Sequence, residues 1–150
     1  MSHISLTYHI IWRTKWSRKT INEMHEKDLY KYIYGICKEK KCKLHRINSM
    51  PDHIHLCVEI SPTIALSDFM KAVKQASSLW IKEHSDWFPA FDFWGSGYAA
   101  FTYSKRDRPF VIEYIKNQKS HHHQKTFKDE YKELMTEFGQ DLSKDTFLQD

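Results

Sequence analysis

Hydrophobic and polar positions change their period along the chain, and these changes mark its first four elements. Residues 4 to 13 alternate and are rich in β-branched and aromatic types, which predicts a strand. Residues 22 to 40 place apolar side chains at helical spacing. Residues 43 to 50 and 53 to 60 alternate again on either side of Pro51-Asp52, a natural tight turn. This pattern predicts a hairpin of two antiparallel strands.

The second half of the chain continues with two helices, a strand and a tail. An amphipathic helix is predicted over residues 65 to 84, and residues 93 to 103 are strand-prone but interrupted by two glycines. Asp107, with proline two residues on, is placed to cap a helix that runs through Gln118. A last charged helix is predicted over residues 125 to 138. Its polar composition indicates an appendage rather than a part of the core.

The resulting order is β, α, β, β, α, β, α and a tail. Two βαβ halves of this kind predict an α+β fold, a ferredoxin-like split βαβ sandwich with an antiparallel sheet and helices on one face. The 150 residues suit one compact domain. We therefore assign residues 1–124 to the domain and residues 125–150 to a C-terminal helical tail of the same unit.

The composition limits the cellular environment in which we expect the protein, but it does not identify a function. The formal charge of +4 is compatible with a polyanionic partner but too small to argue for one. Three irregularly spaced cysteines do not form a disulfide framework, so we expect reduced thiols in a cytoplasmic protein. The first residues do not have the pattern of a signal peptide, and no apolar run is long enough to span a membrane.

The strongest local feature is His53-Ile54-His55. On a strand, residues i and i+2 point to the same face, about 7 Å apart along the backbone, so the two imidazoles can converge on one cation. Ile54 would point into the core, which explains the apolar residue between them. Two histidines at this spacing also arise by chance in a chain with ten.

Tyr114 and Gln118 are four residues apart on a predicted helix and therefore project from one face. Two imidazoles and the Gln118 amide oxygen form an incomplete ligand set that suits Mg²⁺ or Mn²⁺ with open positions better than a closed structural zinc site. A tyrosine one turn from a metal ligand is placed to attack a phosphate. Judged from the helix alone, Tyr114 packing on the sheet beside a solvated Gln118 is the simpler interpretation.

The combination of motifs resembles the HUH single-tyrosine transposases of the insertion-sequence 200/605 type. The stretches that carry the resemblance cover most of residues 4 to 124; they are YHIIWRTKW, NSMPDHIHLCVEI, FWGSGYAAFTYS and FVIEYIKNQKSHH. The related repeat-associated tyrosine transposases commonly carry Asn-Pro where this chain has Asn117-Gln118. That difference favours the insertion-sequence branch.

The resemblance implies a function and a role for each matching residue. His53 and His55 match the family's metal ligands, Gln118 its third ligand and Tyr114 its nucleophile. The implied protein is a homodimer whose sheets join, and it binds hairpins in single-stranded DNA at the ends of the element. In such dimers the tyrosine helix of one subunit often completes the site of the other.

Weaker features concern contacts with DNA. Arg13 and Lys15 near the first strand, and Lys71 and Lys74 on the second long helix, are candidate DNA contacts, although solvated faces explain them as well. The internal run 121–123, three histidines, is interpreted as exposed rather than metal-binding.

We therefore predict a DNA transposase that cleaves and rejoins single-stranded DNA through a 5′-phosphotyrosine, with Mg²⁺ or Mn²⁺ and no organic cofactor or membrane. The alternatives are a domesticated, repeat-associated relative that processes hairpins and a non-catalytic module that binds single-stranded nucleic acid. A structural metal protein ranks below both because the cysteines are not grouped with the histidines.

Overall fold

A computed structural model describes residues 2–122, 125–140, 143, 145, 147 and 148. Four strands form one antiparallel sheet in the order β2-β3-β1-β4, which is the ferredoxin-like topology predicted from the sequence. The strands are β1 (Thr7–Arg13), β2 (Lys43–Met50), β3 (His53–Glu59) and β4 (Ala99–Tyr103). The predicted hairpin is confirmed, since β2 and β3 pair across Pro51-Asp52.

Five α-helices accompany the sheet in the described ranges. They are α1 (Glu26–Glu39), α2 (Leu66–Glu83), α3 (Arg108–Lys116), α4 (Gln118–His121) and α5 (Phe127–Glu137). A short 3-10 turn, Glu23–His25, leads into α1, and the Asn22 side chain caps it by accepting from the amide of Met24. The predicted helix through Gln118 is interrupted at Asn117, where α3 ends and α4 begins.

Helices α1 and α2 cover one face of the sheet, and their apolar stripes meet every second residue of the two central strands. Ile10 and Trp12 of β1 and Ile54 and Leu56 of β3 are fully buried in this main core. Alternation along a strand sends the intervening residues to the opposite face. The odd-numbered residues of β1 and β3, histidines among them, therefore belong to the second face.

Helices cover the second face of the sheet as well, whereas the sequence predicted helices on one face only. Val111 and Ile115 of α3 pack on Cys57. Helix α5 packs four residues on a second apolar cluster with Ile11, Ala99 and Phe101; they are Phe127, Tyr131, Leu134 and Met135. The tail helix is thus a packed layer, and its interpretation as an appendage is wrong. Apart from the buried Glu130, its charged residues lie on the solvent side, as in other amphipathic helices.

The last strand starts later than the pattern suggested. Before β4, Gly97 adopts a positive φ of 77°, a backbone conformation that favours glycine, and Trp94 makes only an isolated bridge with Thr14. Strands β2 and β4 form the two edges of the sheet. Within the described ranges, no helix has both the length and the apolar character that crossing a membrane requires.

Candidate active site

The register of the two central strands brings three histidines to the second face. His55 is paired with Ile11, and Cys57 with His9, so His9, His53 and His55 lie on one side of the sheet. All three are almost completely buried, at 0 to 1% exposure. The rings of His53 and His55 are 5.0 Å apart at their centroids. The prediction that Ile54 points into the core is confirmed.

Each imidazole of the pair has a partner at Nδ1, which leaves Nε2 turned to the site. His53 Nδ1 donates to Asp52 Oδ1 at 2.7 Å, since a carboxylate accepts. His55 Nδ1 lies 2.8 Å from His9 Nε2. Burial lowers the pKa of His55 to about 4 and also lowers that of His9, so both rings are neutral near pH 7.

Glu130 of α5 lies at the centre of this arrangement, with its side chain 1% exposed. Oxygen Oε1 is 3.4 Å from His53 Nε2 and 3.3 Å from His55 Nε2. Burial raises the pKa of a carboxyl, but the electrostatic influence of His55 and of the other imidazoles around Glu130 outweighs burial and lowers the pKa of Glu130. Burial likewise lowers the pKa of His53, but Asp52 and Glu130 raise it above its ordinary value. Because the pKa of Glu130 is lowered, its carboxylate is ionised near pH 7.

Tyr114 and Gln118 meet at the other oxygen of the same carboxylate. The Tyr114 hydroxyl donates to Glu130 Oε2, and Gln118 Nε2 donates to the same atom at 2.9 Å. Although the helix breaks at Asn117, the two side chains remain neighbours. Burial, and then the charge of Glu130, raise the pKa of Tyr114 well above its ordinary value. One chain thus brings all four predicted site residues around one carboxylate.

His122 is part of the same cluster, and its interpretation as exposed is wrong. Its side chain is 6% exposed, and its Nε2 lies 2.9 Å from Glu130 Oε1. The neighbouring His121 has a half-buried side chain with Nε2 3.6 Å from Oε2. His123 lies outside the described residues.

The donors of this cluster suit a divalent cation. His53, His55, His122 and Glu130 each offer one ligand atom, and all these atoms lie within 4.8 Å of one another. Among the residues that the structure describes, the buried Nε2 atoms of His53 and His55 and the buried Oε1 of Gln118 have no hydrogen-bond partner. A buried lone pair without a donor is costly, and a cation shared by the two imidazoles would satisfy both of their Nε2 atoms.

The four candidate DNA contacts have different environments. Arg13 is completely buried, and its guanidinium donates to the carbonyls of Phe147 and Thr14, so it packs inside the fold. Lys74 donates to the carbonyls of Gly95 and Gly97. Lys15 lies over the exposed ring of Trp16, and Lys71 is exposed. Only Lys15 and Lys71 therefore remain suited to contacting a phosphate backbone.

Sequence reasoning missed His9, Asp52 and Glu130. Asp52 stands next to His53 and was assigned only to the turn, although an acidic neighbour is a common orienting partner for a metal-binding histidine. His9 lies on the same face of the sheet as His53 and His55. This could be inferred only after the pairing of β1 with β3 was known. Glu130 is one of several acidic residues on a charged helix, and no local pattern separates it from the others.

The fold and this site have the features of an IS200-like transposase: a ferredoxin-like sheet with paired histidines on a central strand and a tyrosine on the helix that follows the last strand. The family model described as "Transposase IS200 like" matches residues 2–118. The chain belongs to this family. It is accordingly a transposase, an enzyme that cuts and rejoins DNA.

Related proteins and solved structures agree with this assignment. The chain is 26% identical to the ISDra2 transposase TnpA of Deinococcus radiodurans over 117 residues, which are 75% of this chain and 84% of that protein. It is 28% identical to the transposase for insertion sequence element IS200 of Salmonella typhimurium over 115 residues, 74% of this chain and 75% of the relative.

Two solved structures share the fold. A crystal structure of a transposase from Deinococcus radiodurans superposes with a TM-score of 0.61 at 27% identity, covering 78% of this chain and 93% of that one. A REP-associated tyrosine transposase bound to a REP hairpin has the same TM-score at 12% identity, covering 81% and 72%. At that identity the second likeness concerns the fold alone.

Proposed function

We propose that the protein is a metal-dependent single-strand DNA transesterase in which Tyr114 is the nucleophile and a 5′-phosphotyrosine is the intermediate. One observation carries the proposal. The carboxylate of Glu130 accepts from the Tyr114 hydroxyl with one oxygen and faces His53 and His55 with the other. A single carboxylate therefore lies between the phenol of Tyr114 and the paired imidazoles.

His53, His55 and Gln118 would hold the metal, which we propose to be Mg²⁺ or Mn²⁺. The unpartnered Gln118 Oε1 supports this assignment because an amide oxygen is a suitable ligand for either ion. When bound, a divalent ion polarises a phosphate oxygen and offsets the charge that develops during displacement. The protein contributes the buried, partly dry surroundings in which such charge effects are strong.

The proposed step balances without a co-reactant. The Tyr114 oxygen forms a bond to phosphorus, and the bond from phosphorus to the 3′-oxygen breaks. The phenol loses its proton and the departing strand gains one, so the products are a 5′-phosphotyrosine and a 3′-hydroxyl. Because the new ester retains the energy of the phosphodiester, a 3′-hydroxyl of another strand can reverse the step and rejoin the DNA.

The surroundings of Tyr114 support a requirement for a cation. A free phenol has a pKa of about 10 and is a weak nucleophile at neutral pH. In the fold, burial and the negative charge of Glu130 raise the pKa of Tyr114 further. Positive charge at the carboxylate opposes both effects. We therefore expect the protein to be inactive in a chelator.

The proposed substrate is single-stranded DNA with hairpins at the element ends. The REP-associated neighbour, which shares the fold, was solved with a REP hairpin, and this supports the proposed substrate class.

We also propose that the protein is a homodimer with joined sheets and that it is cytoplasmic. Edges β2 and β4 are the strands through which sheets would join.

A covalent-adduct assay tests the proposed function. The full chain is incubated with single-stranded DNA hairpins and Mn²⁺, and a protein–DNA band that resists denaturant is measured. Wild type is expected to form the band, and Tyr114→Phe is expected to lose it at least 1000-fold while binding hairpins with an affinity within about twofold, because the change removes one oxygen atom.

Tyr34→Phe is the matched control, since Tyr34 is an exposed tyrosine on α1 that lies away from the cluster. It should form the band like wild type. Adduct formation by Tyr114→Phe would contradict the choice of nucleophile. Hairpin binding by wild type without any adduct would instead support a non-catalytic binding module.

A further inference from the structure

The buried cluster contains two residues that the family match does not reach. The matched region ends at residue 118, whereas His122 follows α4 and Glu130 lies on α5. Both point into the site from the C-terminal segment. A carboxylate that is 1% exposed is strongly disfavoured unless it is paired with positive charge or a cation, so its partners decide its role.

The two oxygens of Glu130 are divided between two kinds of partner. Oε1 faces the Nε2 atoms of His53, His55 and His122, at 3.4, 3.3 and 2.9 Å. Oε2 accepts from Tyr114 and Gln118. Oε1 thus faces three imidazoles, whereas the hydrogen bonds to Oε2 come from Tyr114 and Gln118. The Nε2 atom of His121 is farther away, 3.6 Å from Oε2.

The three imidazoles share one pattern of hydrogen bonding. His53 Nδ1 donates to Asp52, and His122 Nδ1 donates to the carbonyl of Lys125 at 2.8 Å. His55 Nδ1 contacts His9. A ring that carries its proton on Nδ1 presents a lone pair at Nε2. The three Nε2 atoms converge on one carboxylate oxygen, so a common cation would satisfy all of them together.

The spacing of these atoms favours a cation. Two ligands that are each about 2.1 Å from one ion lie about 3.0 Å apart in octahedral geometry and about 3.4 Å apart in tetrahedral geometry. Two of the three distances from Glu130 Oε1, 3.3 and 3.4 Å, fall in this range, and the third, 2.9 Å, lies just below it. The longer two are poor hydrogen bonds but ordinary separations of adjacent ligands.

We propose that Glu130 Oε1 and His122 Nε2 bind the same divalent ion as His53 and His55, so that the C-terminal helix α5 is part of the metal centre. This inference deepens the proposed function and rests on it for the presence of the ion. Through Oε2, the same carboxylate is the positioning residue that holds the Tyr114 hydroxyl beside the ion.

The enlarged donor set changes the expected metal preference. Three imidazoles with one carboxylate and one amide oxygen are richer in nitrogen than Mg²⁺ prefers, and they favour Mn²⁺ or a later divalent metal. We expect Mn²⁺ to bind at least tenfold more tightly than Mg²⁺. With His53, His55 and Gln118 alone, the set would offer two nitrogen donors instead of three.

The metal-binding test is made on the full chain without DNA. Binding of Mn²⁺ is measured by titration calorimetry for wild type, Glu130→Gln and His122→Ala. Each variant is expected to lose at least tenfold in affinity. Glu133→Gln, which removes the same charge from an exposed position of the same helix, should stay within twofold of wild type. No Mn²⁺ binding by wild type would overturn the inference.

Hydrogen exchange of the wild-type backbone tests the same inference without a substitution, in case Glu130→Gln does not fold. Mn²⁺ is expected to slow amide exchange over residues 127–137 as well as over β3. Protection of β3 with no change over 127–137, or an unchanged Mn²⁺ affinity in a folded Glu130→Gln, would overturn it.

These outcomes are separable from failure of the proposed function. Mn²⁺ binding that depends on Glu130 in a protein that forms no DNA adduct would leave the metal centre standing and reject the chemistry. An adduct that forms with Mn²⁺ while metal affinity is independent of Glu130 would support the proposed function and overturn the assignment of Glu130 as a metal ligand.

Discussion

At the scale of single residues, the site depends on partners that hold the imidazoles rather than on the imidazoles alone. Asp52 accepts from His53 Nδ1, and His9 contacts His55 Nδ1, so both rings are fixed in orientation with Nε2 toward Glu130. Outer partners of this kind set the tautomer of a metal-binding histidine and typically change metal affinity by 10- to 100-fold.

Asp52→Asn is expected to weaken Mn²⁺ binding about 10- to 100-fold, because an amide no longer stabilises the Nδ1 proton of His53 with a full negative charge. Titration calorimetry measures the effect. Asp92→Asn is the control, since Asp92 pairs with Arg18 on the surface and should leave affinity unchanged. Equal affinities in wild type and Asp52→Asn would show that the pair does not orient a ligand.

The residues that the sequence did reveal were those with local signals. His53 and His55 follow the period of a strand, and Tyr114 and Gln118 follow that of a helix, so short windows were sufficient. Glu130 lies 75 or more residues from the paired histidines and 12 from Gln118, and it reaches them only because α5 folds back onto the sheet. Its role depends on tertiary packing, which no local period encodes.

At the scale of elements, strand β2 anchors the break between α3 and α4. Asn48 Nδ2 donates to the carbonyl of Ile115 at 2.9 Å, and Lys119 Nζ donates to the carbonyl of Ser49 at 2.9 Å and pairs with Glu26. The Asn48 contact adds a donor to a carbonyl in the last turn of α3. The Lys119 contacts connect α4 to β2 and α1. They also fix the segment that carries Tyr114 and Gln118.

Asn48→Ala should destabilise the fold by about 1–3 kcal/mol, because a buried carbonyl at the end of α3 loses its side-chain donor. The rate of adduct formation should fall about tenfold or more, since Tyr114 is less firmly placed. Urea unfolding and the adduct assay measure the two effects. Lys43→Ala, at an exposed position of the same strand, serves as control. An Asn48→Ala protein with the stability and the adduct rate of wild type would contradict the anchoring role.

The elements themselves were predictable to a useful degree. β2 was predicted with its observed bounds, and α2 within a residue at each end, because both have clean periods and clear flanking signals. The break at Asn117 was not predicted, because residues 111–118 keep a helical pattern across it. The late start of β4 depends on the positive φ of Gly97 and on pairing with β1, which are properties of the fold.

At the scale of the whole molecule, the sheet has two different faces. One face forms the main core with α1 and α2, and the other carries the buried polar cluster beneath α3, α4 and α5. Topology and α+β class followed from the order of the elements. Coverage of the second face did not, because the high charge of α5 obscured its apolar stripe.

The central claim is that Tyr114 attacks the phosphate, and mass spectrometry of the adduct tests it most directly. The tryptic peptide of residues 107–116 contains Tyr114 as its only tyrosine. After reaction with hairpin DNA and Mn²⁺ and nuclease trimming, this peptide is predicted to carry the nucleotide mass, with a phosphotyrosine linkage at Tyr114. A nucleotide found on any other peptide, with residues 107–116 unmodified, would contradict the account.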